Sequence, residues 1–193
     1  MSDWQKVVSM QALLVMDVQQ GVVARVPERA EGILARLAEA VAAARAAQVP
    51  VIHVVVRFRD GHPEISPANK AFEPLIGTDA LTESSPLSRI HPAVEPLPNE
   101  PVVAKRFFGA FSGTDLDALL RARGINTLVL AGLGTSGVVF GTMREATERQ
   151  YQQIVLSDGC DDLDPEVSRF LLERVFPREA DVLTIDEWAK TLR

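Results

Sequence analysis

The sequence predicts an α/β fold, a mostly parallel sheet with helices on both faces. Short apolar, β-branched runs alternate with helically spaced stretches along most of the chain. One run, residues 51–56, is nearly continuous in Val and Ile, as a strand covered on both faces should be. Three runs end in polar or glycine-rich residues: Asp17, Lys105, and the stretch from Gly132 to Val138. On a parallel sheet these would converge at the carboxyl edge, where such sheets place their ligands.

The elements follow in order. Residues 12–16 form the first strand. Residues 28–48 carry Ile33, Leu34, Leu37, Val41 and Ala44 at helical spacing, closed by Gln48-Val49-Pro50. The strand 51–56 comes next. From 57 to 100 the rhythm breaks, because Pro63, Pro67, Pro74, Pro86, Pro92, Pro96 and Pro98 exclude a long helix. The segment is too long for an ordinary connection. It reads either as a pocket wall or as a surface excursion or contact between copies.

Strands resume at 101–104. Thr114-Asp115-Leu116-Asp117 has the form of a capping box, with Asp in the Glu/Gln place, opening a helix that ends at Gly124. Residues 127–131 read as a strand, 138–150 as a helix and 153–157 as a strand. Asp164-Pro165 supplies an N-cap and an N1 proline for the next helix. A short strand at 182–184 and a tail helix at 186–192 complete the pattern. No repeat or low-complexity linker divides the chain, so 1–193 reads as a single domain.

Composition narrows the function classes. The net charge of -6 argues against non-specific nucleic-acid binding and against anionic membrane surfaces. No apolar stretch approaches the ~20 residues of a membrane span. Residues 1–11, with Asp3 and Lys6, lack the basic flank and apolar core of an export signal. A single cysteine, Cys160, excludes an intrachain disulfide and a cysteine-based zinc site. The expectation is a reduced, cytoplasmic domain acting on a small molecule. An acidic protein that handles an anion needs local cations, which draws attention to Arg57, Lys105 and Arg106.

Asp17, directly after a buried strand, would be partly desolvated, which favours its neutral form and suits a general acid. It could equally cap the next turn. Lys105 is followed by Arg106, Phe107 and Phe108; it reads as the partner of a carboxylate or anion, or as a snorkelling surface lysine. The 132–137 turn lies between a strand and a helix and can offer backbone N–H groups to an anion. It is not read as a dinucleotide fingerprint, and it does not match the G-x-S-x-G elbow, which fails at Val138. His53 reads as a core histidine. Asp60 and His62 have the Asp-x-His spacing of some metal sites, but no second histidine follows nearby, so no metal is expected. Cys160 is flanked by Asp158, Asp161 and Asp162, which would raise its pKa, the wrong direction for a nucleophile.

Together these stretches resemble the isochorismatase-like hydrolase superfamily. The resemblance rests on Leu13-Leu14-Val15-Met16-Asp17-Val18-Gln19, on Val103-Ala104-Lys105 with Gly109-Ala110-Phe111 and Thr114-Asp115-Leu116, on the stretch from Leu130 to Val138, and on Val155-Leu156-Ser157-Asp158. It spans about residues 10 to 187. It implies a Rossmann-like three-layer α/β/α fold with a six-stranded, mostly parallel sheet. It also implies a homodimer or homotetramer, no cofactor, and a site built from an acid, a lysine and usually a cysteine.

Asp17 matches the acid and Lys105 the lysine, while the cysteine position falls at Val138, which offers no nucleophile. Gln19, Arg57, Phe111, Leu133, Gly134, Thr135, Ser136 and Gly137 become candidate substrate-binding residues, with Arg106 a further carboxylate binder. Members often hold a non-proline cis peptide in the turn, here expected at Leu133-Gly134. Amide hydrolysis in the superfamily proceeds through a thioester, so Val138 argues against nicotinamidase and carbamoylase chemistry. Isochorismatases proper also lack the cysteine, typically with glycine in its place, and hydrolyse a vinyl ether after protonation by the Asp. Valine is bulkier, and would press on a substrate at the turn.

Three readings remain open: a hydrolase of a small anionic metabolite that works without a thioester, isochorismate hydrolysis itself, or a non-catalytic binding or assembly protein on the same scaffold. The tail helix with Trp188 and the 60–100 loop either contact another copy or pack on their own subunit.

Overall fold

The structure is a computed structural model that describes residues 10–192. The stretch searched for an export signal lies outside the described residues except for Met10 and Gln11. Six strands form one sheet: β1 (Gln11–Met16), β2 (Val51–Val56), β3 (Val102–Lys105), β4 (Thr127–Leu133), β5 (Gln152–Asp161) and β6 (Asp181–Leu183). Their spatial order is β3-β2-β1-β4-β5-β6, and every pairing is parallel. The chain builds outward from β1 to one edge, then returns to β4 and builds to the other. The order therefore reverses between β1 and β4, the place where such sheets open a crevice.

Alternation along the strands separates two cores. Ala12, Leu14 and Met16 of β1 face one layer, with Leu116 and Leu120 of α3 (Leu116–Ala122), Met143 and Ala146 of α4 (Phe140–Glu148), and Leu171 beyond α5 (Pro165–Phe170). Leu13 and Val15 face the other layer, formed by α2 (Ala30–Ala46) and α6 (Ile185–Thr191). The helically spaced Ile33, Leu34, Leu37, Val41 and Ala44 are the buried face of α2, each large side chain contributing on the order of 2 kcal/mol. Trp188 is fully buried and its Nε1 donates to Gln11 Oε1 (3.0 Å). The tail helix thus packs on its own subunit.

Several boundaries differ from the sequence expectation, for local reasons. The Thr114–Asp117 capping box does not form. Thr114 Oγ1 donates to Ala110 O (2.6 Å), and Asp115 stands at the N-cap without a side-chain cap bond. A capping box closes instead at α6, where Thr184 and Glu187 bond reciprocally. The helix expected from 138 starts with a π-type turn, Thr135–Val139, before α4. Strand β5 runs on to Asp161 after a register shift opposite Leu130 and Gly132.

The 57–100 excursion is irregular, with three short 3-10 turns at Glu73–Leu75, Pro86–Ser88 and Pro92–Val94. It carries a small core of its own around Phe58 and Ile65, with Phe72 against it. His62, buried, bonds through Nε2 to Ala80 O (2.8 Å), and Asp60 accepts from Ser84 Oγ (2.8 Å). The Asp-x-His pair thus pins the loop. Among the described residues no group of three His, Cys, Asp or Glu side chains is placed to hold a metal.

Beneath the amino edge of the sheet, Glu100 closes the excursion. It accepts from Arg45 Nε (2.8 Å) and Nη2 (2.7 Å) and from Leu97 N (2.9 Å), and pairs with the buried His53 Nε2 (3.2 Å). His53 is indeed a core histidine. Among the described residues no helix is long and apolar enough to cross a membrane.

Candidate active site

The parallel register brings the carboxyl ends of β1 and β3 to the same edge, on either side of β2. There Lys105 Nζ donates to Asp17 Oδ2 at 2.8 Å and to Phe107 O at 3.1 Å. The pair is nearly sealed, with Asp17 7% and Lys105 2% exposed. Lys105 is therefore no snorkelling lysine. Asp17 is no helix cap either. It occupies the left-handed region (φ 53), held between Asp17 N→Val54 O and Gln19 N→Asp17 O, both 2.8 Å. A non-glycine residue in that region carries strain of about 1–3 kcal/mol, a recurrent mark of functional positions.

The two oxygens of Asp17 differ. Oδ2 is taken by Lys105, while Oδ1 is buried with no hydrogen-bond partner among the described residues. Burial pushes the Asp17 carboxyl above its ordinary range, and the charge and hydrogen bond of Lys105 oppose that shift only in part. A carboxyl in this state can carry a proton on Oδ1 while Oδ2 stays bonded to the ammonium.

Gly132, in register with Met16, has φ 147, and a Cβ there would lie 2.0 Å from Met16 O. The absence of a side chain lets β1 and β4 meet at the crossover, so Asp17 and Leu133 leave neighbouring strands side by side. Gly134 then turns left-handed (φ 94) and starts the π-type turn. No peptide bond among the described residues is cis, so Leu133-Gly134 is trans. The turn direction comes from the two glycines instead.

A pocket of about 170 Å³ opens beside this turn. Leu133, Gly134, Ser136 and Gly137 form one wall, and Val22 of the short helix α1 (Gln20–Val23), with Arg25 and Val26 after it, forms another. Phe108, Leu163, Asp161 and Asp162 complete it. Asp162 Oδ2 accepts from Ser136 N (2.7 Å) and Oγ (2.8 Å), while Arg29 Nε pairs with Asp161 Oδ2 (2.9 Å). The turn is thereby tied to the end of β5. The excursion reaches this pocket at one remove, through the ring of Phe72 against Phe108 (4.8 Å).

The structure brings Asp17 and Lys105 together behind the pocket, whose lining includes neither, and sets Leu133, Gly134, Ser136 and Gly137 around it. It places the other expected residues elsewhere. Gln19 is fully buried, and its amide ties Val56 N, Val56 O and Ser88 O at 2.9 Å each, leaving it no surface for a substrate. Phe111 is buried against Tyr151, under the guanidinium of Arg149 (4.7 Å). Thr135 is fully buried and shares a hydrogen bond with Ser168 Oγ (2.7 Å). Arg57 lines a separate cleft with Arg89, and Arg106 is held by Glu64 (2.8 Å) and Glu83 (3.2 Å).

Val138 is 2% exposed and belongs to the apolar core, so it does not narrow the pocket as expected. Sequence reasoning missed Arg25 and the 161–163 wall. The Asp158–Asp162 run was visible, but only as the surroundings of Cys160. That thiol is buried, and burial, more than its acidic neighbours, pushes it up to about 12.

This geometry can be set beside known proteins. The profile of the isochorismatase domain matches residues 11–187. The chain belongs to the isochorismatase family. It is 31% identical over 182 residues to the isochorismatase family protein YwoC of Bacillus subtilis, covering 94% of each chain. It is 29% identical to a maleamate amidohydrolase of Pseudomonas putida, covering 94% of this chain and 86% of that one. An isochorismatase family protein of Burkholderia thailandensis has the same fold, with a TM-score of 0.82, 33% identity and 95% of both chains covered. The protein is thus an isochorismatase-family hydrolase, with the six-stranded α/β architecture of its relatives.

Proposed function

We propose that this isochorismatase-family protein hydrolyses a small anionic metabolite by general acid catalysis from Asp17, without a covalent thioester. The observation that carries the reading is the asymmetric Asp17 carboxyl. Lys105 fixes Oδ2 at 2.8 Å, and buried Oδ1 has no partner among the described residues. Burial favours the protonated form, which a general acid must populate at its working pH. In the forward step Oδ1 gives its proton to the substrate. The resulting carboxylate is stabilised by the Lys105 ammonium already bonded to Oδ2, and water completes the cleavage and returns a proton to Asp17.

A thioester has no support from these residues. Val138, at the family's cysteine position, has no nucleophilic atom, and the sole thiol, Cys160, is buried and pushed up to about 12. That separates this chain from the amidohydrolase reading suggested by its maleamate-hydrolysing relative. Isochorismate hydrolysis remains a second reading. It needs only an acid and water, and the inward-turned Val138 side chain presents no obstacle to it.

The test measures pyruvate release from isochorismate and ammonia release from maleamate, for the wild type and Asp17→Asn, with intact-mass analysis during turnover. The proposal expects turnover that falls by at least about 100-fold in Asp17→Asn and no acyl-enzyme mass. Undiminished turnover in the variant, or a trapped acyl adduct, would overturn it.

A further inference from the structure

We infer that Arg25 is the specificity-determining residue of the pocket, anchoring a carboxylate of a small substrate whose apolar body lies against Phe108 and Leu163. The inference rests on the pocket being the substrate site of the proposed hydrolase, and it adds the chemical class the pocket selects.

The other cations near the site are engaged or line a different cleft. Lys105 is bonded to Asp17 and Phe107 O. Arg29 is bonded to Asp161 Oδ2 and to Asp162 O. Arg106 is held by Glu64 and Glu83, and Arg57 lines another cleft. Arg25 lines the pocket, and its guanidinium makes no ion pair or hydrogen bond with the described residues.

The two carboxylates in the same wall do not require Arg25. Asp161 already has Arg29, and the Asp162 oxygens accept from Ser136 N and Oγ and from Leu163 N. A planar guanidinium with five donors is suited to a carboxylate, which it can grip bidentately. The rest of the chamber is apolar, through Val22, Val26, Phe108, Leu133 and Leu163. Its volume of about 170 Å³ lies below the roughly 300–1,000 Å³ of pockets for drug-sized ligands. The combination selects a short acid with one apolar face. Arg25 is exposed, as are Phe108 (46%) and Leu163 (52%), so a short acid bound here stays near solvent along its length.

The test is a binding measurement that needs no turnover. Crotonate and crotonamide share size and shape and differ in charge. Each is titrated into ¹⁵N-labelled protein, following the amides of Gly134, Ser136 and Gly137. The expected result is a preference for crotonate of about tenfold or more, reduced to within about twofold in Arg25→Gln and partly kept in Arg25→Lys. Arg123→Gln, in a cleft at the amino edge of the sheet, leaves the preference unchanged. Equal binding of the two probes, binding of neither, or full preference in Arg25→Gln each overturns the inference. Because Asp17 chemistry is read by turnover and Arg25 by equilibrium binding, either proposal can fail while the other stands.

Discussion

Asp17 and Lys105 form a buried ion pair whose geometry is poor value for stability alone. One carboxylate oxygen is left without a partner and the backbone beneath it sits in the left-handed region. Buried pairs often stabilise no better than apolar packing, whereas removing one partner costs about 3–5 kcal/mol. Lys105→Met alone is therefore expected to lower unfolding free energy by about 3 kcal/mol, since it strands Asp17. Asp17→Asn/Lys105→Met should recover most of that loss, because asparagine tolerates a positive φ and leaves no charge behind. Urea denaturation of these two variants and of Asp17→Asn alone checks this. Simple additivity of the two single changes would mean that the pair is not coupled.

At the scale of elements, the β4 turn owes its path to Gly132, where a Cβ would lie 2.0 Å from a backbone oxygen. Gly132→Ala must push β1 and β4 apart, with an expected loss of about 3 kcal/mol in a urea melt. Gly32→Ala, inside α2 with nothing within 4 Å, should instead gain up to about 1 kcal/mol. A Gly132→Ala protein as stable as the wild type would show that this close approach is dispensable.

The same elements show what could be read in advance. Strands such as Val51–Val56 were legible because an apolar run covered on both faces has few alternatives. Asp17 and Lys105 were legible because each ends such a run. The capping box at Thr114 misled because Thr114 Oγ1 found the nearby Ala110 carbonyl instead. Arg25 was invisible because nothing in its neighbourhood marks it. Only the packing of the β5 extension opposite α1 turns its surroundings into a pocket wall. Gln19 and Phe111 lie within recognisable stretches, yet the Gln19 amide ties backbone groups of Val56 and Ser88 and Phe111 serves packing, which sequence position does not reveal.

For the molecule as a whole, the long excursion is fastened at its far end by the Arg45–Glu100–His53 cluster. Arg45, Leu97 N and His53 draw the Glu100 carboxyl from its ordinary 4.5 to about 2, against the opposing effect of burial. The ionised Glu100 thus adds stability that is fully present above pH 4.5 and is lost as pH falls toward 2. The drop corresponds to about 3 kcal/mol. His53, held below its ordinary 6.5 by burial, acts with the same sign, since acid must charge a side chain the fold keeps neutral. Wild-type protein should therefore lose stability steeply on acidification, whereas Glu100→Gln starts lower at pH 7 and declines with a shallower slope. Thermal melts between pH 7 and 3 would show it; parallel curves would remove Glu100 from the account.

The reversal of strand order between β1 and β4 divides the proposed site between two halves of the chain. The acid and its lysine come from β1 and β3, whereas the glycine turn and the 161–163 wall come from β4 and β5. Neither half carries a whole site. Two polypeptides separated near Gly113, an exposed turn between those halves, would each be chemically mute. Hydrolysis restored on mixing them would report that the seam between β1 and β4 had formed.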